Sequence, residues 1–193
     1  MLVHKKKRWY YIGIYVYRKL FSLKEVFYVA NPLAVSNNIL LKAHDHKEDI
    51  TPMQLQKLLY MLHARYYALT GQLLVEGRFE RWKYGPVLPI VHEYFKSYGE
   101  KPITSFAFIG NDILVVNEDK NNDFNRALDF VWQKHGGKSG QELSFITHLP
   151  GTAWHNAYAR DDIFLRDEEI KQDGGDESSI FNKKKAGLYV KDS

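Results

Sequence analysis

The stretch "ITPMQLQKLLYMLHARYYALTG", residues 50–71, decides the fold class. Thr51 is a suitable N-cap, Pro52 takes the first helical position, and Gln54 stands three residues after the cap. Together they form a capping box, in which side chains satisfy N–H groups that have no partner inside the helix. Leu55, Leu58, Leu59, Leu62, Tyr66 and Leu69 then recur as one stripe with a 3.6-residue period. Gly71 ends the helix, since glycine accepts positive φ without a steric penalty. Lys57 and Arg65 fall off the stripe and are expected to face solvent. His63 borders it, where a hydrogen-bonded boundary histidine is the default reading and a general base a remote second.

Working outward, further helices follow on both sides. Pro32 opens one in which Val35, Ile39, Leu40 and Ala43 share a face. Phe124, Ala127, Leu128 and Val131 keep helical spacing up to Gly136 and Gly137. Ser139 and Glu142 make a second capping box ahead of Leu143 and Ile146, and a last helical piece carries Trp154 and Tyr158. Residues 72–85 read as irregular or weakly extended. Pro86 is expected to begin a helix, with Pro89 still in its first turn and Val91, Tyr94, Phe95 and Tyr98 on its inner face. In "SFAFIGNDILVVNE", residues 105–118, turn residues Gly110, Asn111 and Asp112 separate two apolar runs, which predicts a hairpin. The expected fold is mainly α: a compact helical domain with one short β-hairpin. Its expected limits are residues 30–170, between an arm at 1–29 and a Gly-, Ser- and charge-rich tail at 171–193 that reads as disordered.

Composition narrows the functional classes. A chain of 193 residues suits one domain, and with no cysteine neither a disulfide framework nor a thiolate metal site can form. Residues 1–28 hold seven Lys or Arg side chains against Glu25 alone. The remaining 20 basic and 22 acidic residues give the body a net charge of −2. The basic character therefore belongs to the arm, and nucleic-acid binding by the body has no electrostatic support. The arm's apolar run, Trp9 to Tyr17, is broken by Arg18 and Lys19 and is far shorter than the ~20 residues that span a bilayer. It lacks a signal-peptide cleavage site, and the expected location is cytoplasmic. The arm is expected to lie outside the native protein, with Val29 as the start; the alternative is an arm that binds nucleic acid, making the chain a regulator.

Catalytic patterns do not emerge. His44 and His46 flank Asp45 on an expected helix end, and His148 and His155 lie seven residues apart, without an H-E-x-x-H spacing. His148 is read as buttressing a turn. Asp161-Asp162 and Asp167-Glu168-Glu169 are like-charge runs in a surface region, whereas paired catalytic carboxylates need a cleft to separate their pKa values. The glycines form no phosphate loop. No catalytic residue, metal site or cofactor is assigned; a hydrolase built from distant residues is a further alternative.

The segment "WKYGPVLP", residues 82–89, then stands out. Gly85 permits a sharp turn and Pro86 and Pro89 stiffen the backbone. Trp82 reads as a plug between helices, while the Tyr84 hydroxyl needs a polar partner or water. Combined with "MQLQKLLYMLHARYYALTGQLL" (53–74), "FERWKYGPVLPIVHEYFKSYG" (79–99) and "ELSFITHLPGTAW" (142–154), it resembles the Panacea domain, the SocA-like antitoxin family. The family pattern runs through residues 54–60, 81–89 and 94–99 to Thr147, His148 and Trp154. Gln54 stands where Lys is common and Arg81 where Ala is common.

The resemblance implies a bacterial or phage antitoxin that is not an enzyme. It implies binding to a protein toxin encoded by a neighbouring gene, with delivery to a Clp-type protease as another mode. Lys57, Tyr60, Trp82, Gly85, Pro86, Pro89, Thr147, His148 and Trp154 match the motif as structural residues. Tyr84, Tyr94 and His63 are the candidate partner contacts.

Overall fold

The computed structural model describes residues 29–116 and 121–175. The basic arm through residue 28 and the tail from residue 176 lie outside the described residues. Seven α-helices occur among those described: α1 (Pro32–Asp45), α2 (Pro52–Thr70), α3 (Pro89–Phe95), α4 (Asn122–His135), α5 (Gly140–Thr147), α6 (Ala153–Arg160) and α7 (Asp167–Asp173). Strands β1 (Glu80–Trp82) and β2 (Gly85–Val87) form the short hairpin.

Helix α2 is the axis of the domain. Its capping box is formed on both sides, with Thr51 Oγ1 accepting from Gln54 N–H and Gln54 Oε1 accepting from Thr51 N–H. Gly71 ends it at φ +71°. The helix packs against α1, α3, α4, α5 and α7 as well as β2, so residues 55–64 are buried without a break. The single apolar stripe expected from spacing is thus a buried cylinder. Lys57, expected in solvent, is 1% exposed. Arg65 is also drawn in: its guanidinium donates to the carbonyls of Gly174 and Gly175 and lies 4.2 Å over the Phe130 ring.

Two local expectations move. Helix α3 starts at Pro89, not Pro86, because residues 85–87 pair with 80–82 in antiparallel register, Arg81 opposite Pro86. Proline suits this strand because its own N–H is not required. The Leu88 peptide is then satisfied by Gln56, whose Oε1 accepts from Leu88 N–H and whose Nε2 donates to Leu88 O. Conversely, residues 105–116 form no ladder beyond an isolated bridge between Ile109 and Asp112. Buried asparagines on α1 take its place. Asn37 bonds both backbone groups of Ala107 and the carbonyl of Leu114; Asn38 bonds both groups of Val116. A side-chain amide offers the same donor and acceptor as a neighbouring strand.

The helical core also extends past Ile170. Helix α7 runs to Asp173, which is buried, and Gly174 sits so close to α2 that a Cβ there would lie 1.9 Å from the Ala64 carbonyl oxygen. Three acidic residues in the first turn of α7 suit the positive end of its dipole. Among the described residues, no helix is long and apolar enough to cross a membrane.

Candidate functional site

The hairpin turn carries Lys83 and Tyr84 between the two strands. Its backbone is held from beneath by side chains of three helices. Trp154 Nε1 on α6 donates to Trp82 O at 2.9 Å. His148 Nε2, in the residue that ends α5, lies 3.2 Å from Lys83 O. Ser144 Oγ on α5 donates to Tyr84 O at 3.0 Å, and Lys57 Nζ on α2 donates to Pro86 O at 2.8 Å. Four carbonyls within five residues are therefore tied to the helical body.

Gly85 makes this approach feasible. It adopts φ +104°, and a Cβ there would meet Thr147 Oγ1 at 2.5 Å and Lys57 Cε at 2.9 Å. A side chain would hence be both strained and blocked. Thr147 in turn donates to Ser144 O. Burial pulls the Lys57 amine down to about 7, far below the usual lysine value. Its long stem fills the junction and its head satisfies one carbonyl, which is why a lysine off the apolar stripe lies inside.

With the carbonyls directed inward, side chains of the tip face outward. Tyr84 is 57% exposed and Trp82 37%, with Lys83 also exposed. Trp82 is therefore not the buried plug expected from the sequence. Its ring rests against His92 at 4.7 Å and its Nε1 donates to Glu80 at 2.7 Å. Lys83 Nζ lies 5.1 Å from the Tyr84 ring centroid. The supporting elements add their own aromatics. Phe145, next to Ser144 on α5, is 66% exposed. Tyr158 on α6 is 61% exposed, stacks on Trp154 at 5.4 Å and has Arg81 5.5 Å from its ring centroid. Arg81 is paired with Asp161 at 2.8 Å, leaving a polar margin beside Tyr158. Exposed aromatic clusters with polar edges mark interaction surfaces.

The other predicted residues fall elsewhere. His63 is buried, accepts from Val75 N–H at 3.3 Å and packs against Phe79; burial lowers it to about 4, so it is neutral and inaccessible. Tyr94 is partly exposed on α3, but its hydroxyl already accepts from Phe108 N–H at 2.7 Å. Tyr60 is buried and donates to Asp173, tying α2 to α7. Thr147 and Trp154 support the tip from the interior, and His148 does so while partly exposed. Among the described residues no three His, Asp or Glu side chains converge as a metal-binding group.

Sequence reasoning did not single out the exposed Phe145, Tyr158 and Lys83, nor Ser144, which lies buried beneath the tip and holds it. A signal for Phe145 existed: Leu143, Ser144 and Thr147 face inward on α5, which leaves position 145 outside.

The family model described as "Antitoxin SocA-like, Panacea domain" matches residues 55–155, more than half of the chain and all four tethers of the tip. A curated relative, Antitoxin SocA of Caulobacter vibrioides (strain NA1000 / CB15N), is 36% identical over 126 residues. That match covers 63% of this chain and 66% of the relative, slightly under two thirds of its length. No solved structure matches the chain significantly.

Proposed function

This chain belongs to the SocA-like Panacea domain family, and on that premise we propose that it is an antitoxin that neutralises a cognate protein toxin by direct binding. The toxin is encoded by a neighbouring gene, and the two products meet in the cytoplasm as a stoichiometric complex. The observation that carries the reading is the tethered hairpin tip, which presents Tyr84 and Trp82 on a backbone held at four carbonyls. A preformed aromatic tip loses little conformational entropy when a partner docks, and aromatic residues dominate binding hot spots. Tyr84 with Phe145 and Tyr158 is the proposed contact surface, on the order of 800 Å² per partner. Tyr94 lies at most at its margin. The chain acts as a binding protein rather than an enzyme, and handing the captured toxin to a Clp-type protease is a second use of the same complex.

The test is to induce the neighbouring gene with and without this one and to co-purify the two products. Rescue of growth together with a one-to-one complex is the expected result. A harmless neighbour, or rescue with no complex, would sink the reading.

A further inference from the structure

His148 makes two contacts that a neutral imidazole cannot both satisfy. Its Nδ1 lies 2.6 Å from Ser144 O and its Nε2 lies 3.2 Å from Lys83 O. Both partners are carbonyl oxygens, which only accept. A neutral ring carries one N–H and one lone pair, whereas the imidazolium carries two N–H groups. We infer that His148 is a proton-operated tether of the recognition tip: the imidazolium bonds Ser144 O and Lys83 O together, and loss of the proton releases Lys83.

Geometry indicates which bond survives. The Nδ1 contact is the shorter; Ser144 O takes it on its second lone pair beside the Thr147 hydroxyl, while the His148 backbone N–H goes to Phe145 O. The neutral ring therefore keeps its hydrogen on Nδ1, and the Nε2 lone pair then faces the Lys83 oxygen. The other three tethers do not switch. The tryptophan N–H and the serine hydroxyl hold their hydrogens across the physiological range, and a lysine amine still donates when uncharged. The ring also lies 3.7 Å from the Trp154 ring, where a cation is favoured by the aromatic face.

The charged and titratable groups on the surrounding elements are Glu80, Arg81, Lys83 and Tyr84 on the hairpin, Lys57 where α2 meets it, His92, Glu93 and Tyr94 on α3, Glu142 on α5, and His155, Tyr158 and Arg160 on α6. No described acid forms an ion pair with His148: Glu80 accepts from Trp82 Nε1, Glu93 pairs with Lys96 and Glu142 accepts from Ser139 N–H. The switch thus rests on the exchange of one hydrogen bond.

Nuclear magnetic resonance on the whole chain tests this without any partner. Ring nitrogen shifts should report the Nδ1–H tautomer at pH 8, the less common form in free histidine. Backbone order parameters of residues 83–85 should be higher at pH 5.5 than at pH 8, and this difference should vanish in His148→Gln, which keeps an uncharged N–H donor. An Nε2–H tautomer at pH 8, an absent change in wild type, or a change that persists in His148→Gln overturns the inference. A second arm rests on the proposed function. The wild-type complex with the neighbouring gene's product should tighten on the order of tenfold from pH 8 to pH 5.5, and the His148→Gln complex should not. Absence of any complex at either pH counts against the proposed function and leaves the tether to be judged by the resonance measurements.

Discussion

The hydroxyl of Tyr60 donates to the carboxyl of Asp173 at 2.5 Å across 113 residues of sequence, inside the core. The same carboxyl accepts from Ala153 N–H at the start of α6, so one side chain joins α2, α6 and α7. Burial pushes the Asp173 carboxyl up to about 7, against the opposing pull of its two hydrogen-bond donors. In the unfolded chain it returns to about 3.8. Between these values the folded state binds more protons than the unfolded state. Asp173 therefore adds stability that is full below about pH 4 and lost as pH rises through about 7, with a slope on the order of 1 kcal/mol per pH unit. His63 and His135, both lowered to about 4 chiefly by burial, act oppositely up to their unfolded pKa near 6.5. The difference between wild type and Asp173→Asn isolates the carboxyl. Urea unfolding from pH 4 to pH 8 should show wild type losing stability relative to the variant as pH rises.

Gly174 is a close-approach position. A methyl group there would fall 1.9 Å from Ala64 O, and backbone cannot give way as a flexible side chain can. Gly174→Ala should undock α7 from α2, breaking the Arg65 contacts and the Asp173 bridge, with a loss on the order of 3 kcal/mol. Thermal unfolding reads the loss, and amide exchange should localise it to residues 167–175.

Asn37 is fully buried and holds three backbone groups of the segment 105–116. Asn37→Ala leaves them unsatisfied, at roughly 1–3 kcal/mol for each buried group that water cannot reach. Faster amide exchange throughout this segment, with α2 unaffected, is the expected pattern.

Tyr84 and Trp82 should separate in their effects. Tyr84→Ala removes an exposed ring, so the melting temperature should hold while affinity for the proposed partner falls on the order of 30-fold or more. Trp82→Ala should cost about 1–2 kcal/mol, below the ~3–5 kcal/mol of a fully buried tryptophan, because its ring packs only partly, against His92. Calorimetry of each variant beside titration with the partner distinguishes the two.

Lys57 has the opposite linkage sign to Asp173. Its folded pKa of about 7 lies below the unfolded 10.5, so the unfolded chain binds more protons between these values and wild-type stability rises with pH there. Lys57→Met removes that rise. Comparing the unfolding free energies at pH 7 and pH 9.5 checks it.

The central helix and its neighbours were legible because their causes are local. Capping boxes at Thr51 and Ser139, prolines at first helical positions and the leucine repeat of residues 55–69 act within one or two turns. The aromatic density around Trp82 and Tyr84 likewise marked the region of the proposed surface, although the sequence did not indicate which ring is exposed. The fate of Lys57, Asn37 and Asp173 was decided by the tertiary structure. Each is polar and sits where local rules expect solvent or a loop, and each is buried because a distant backbone group or hydroxyl needs its hydrogen bond. The hairpin moved from residues 105–118 to residues 80–87 for the same reason. Strand pairing depends on which backbone groups remain unsatisfied when the helices pack, and Asn37, 70 residues away, takes those at Ala107. Local sequence determines which elements can form; the burial of polar groups, a property of the assembled core, decides which of them do and what they present to a partner.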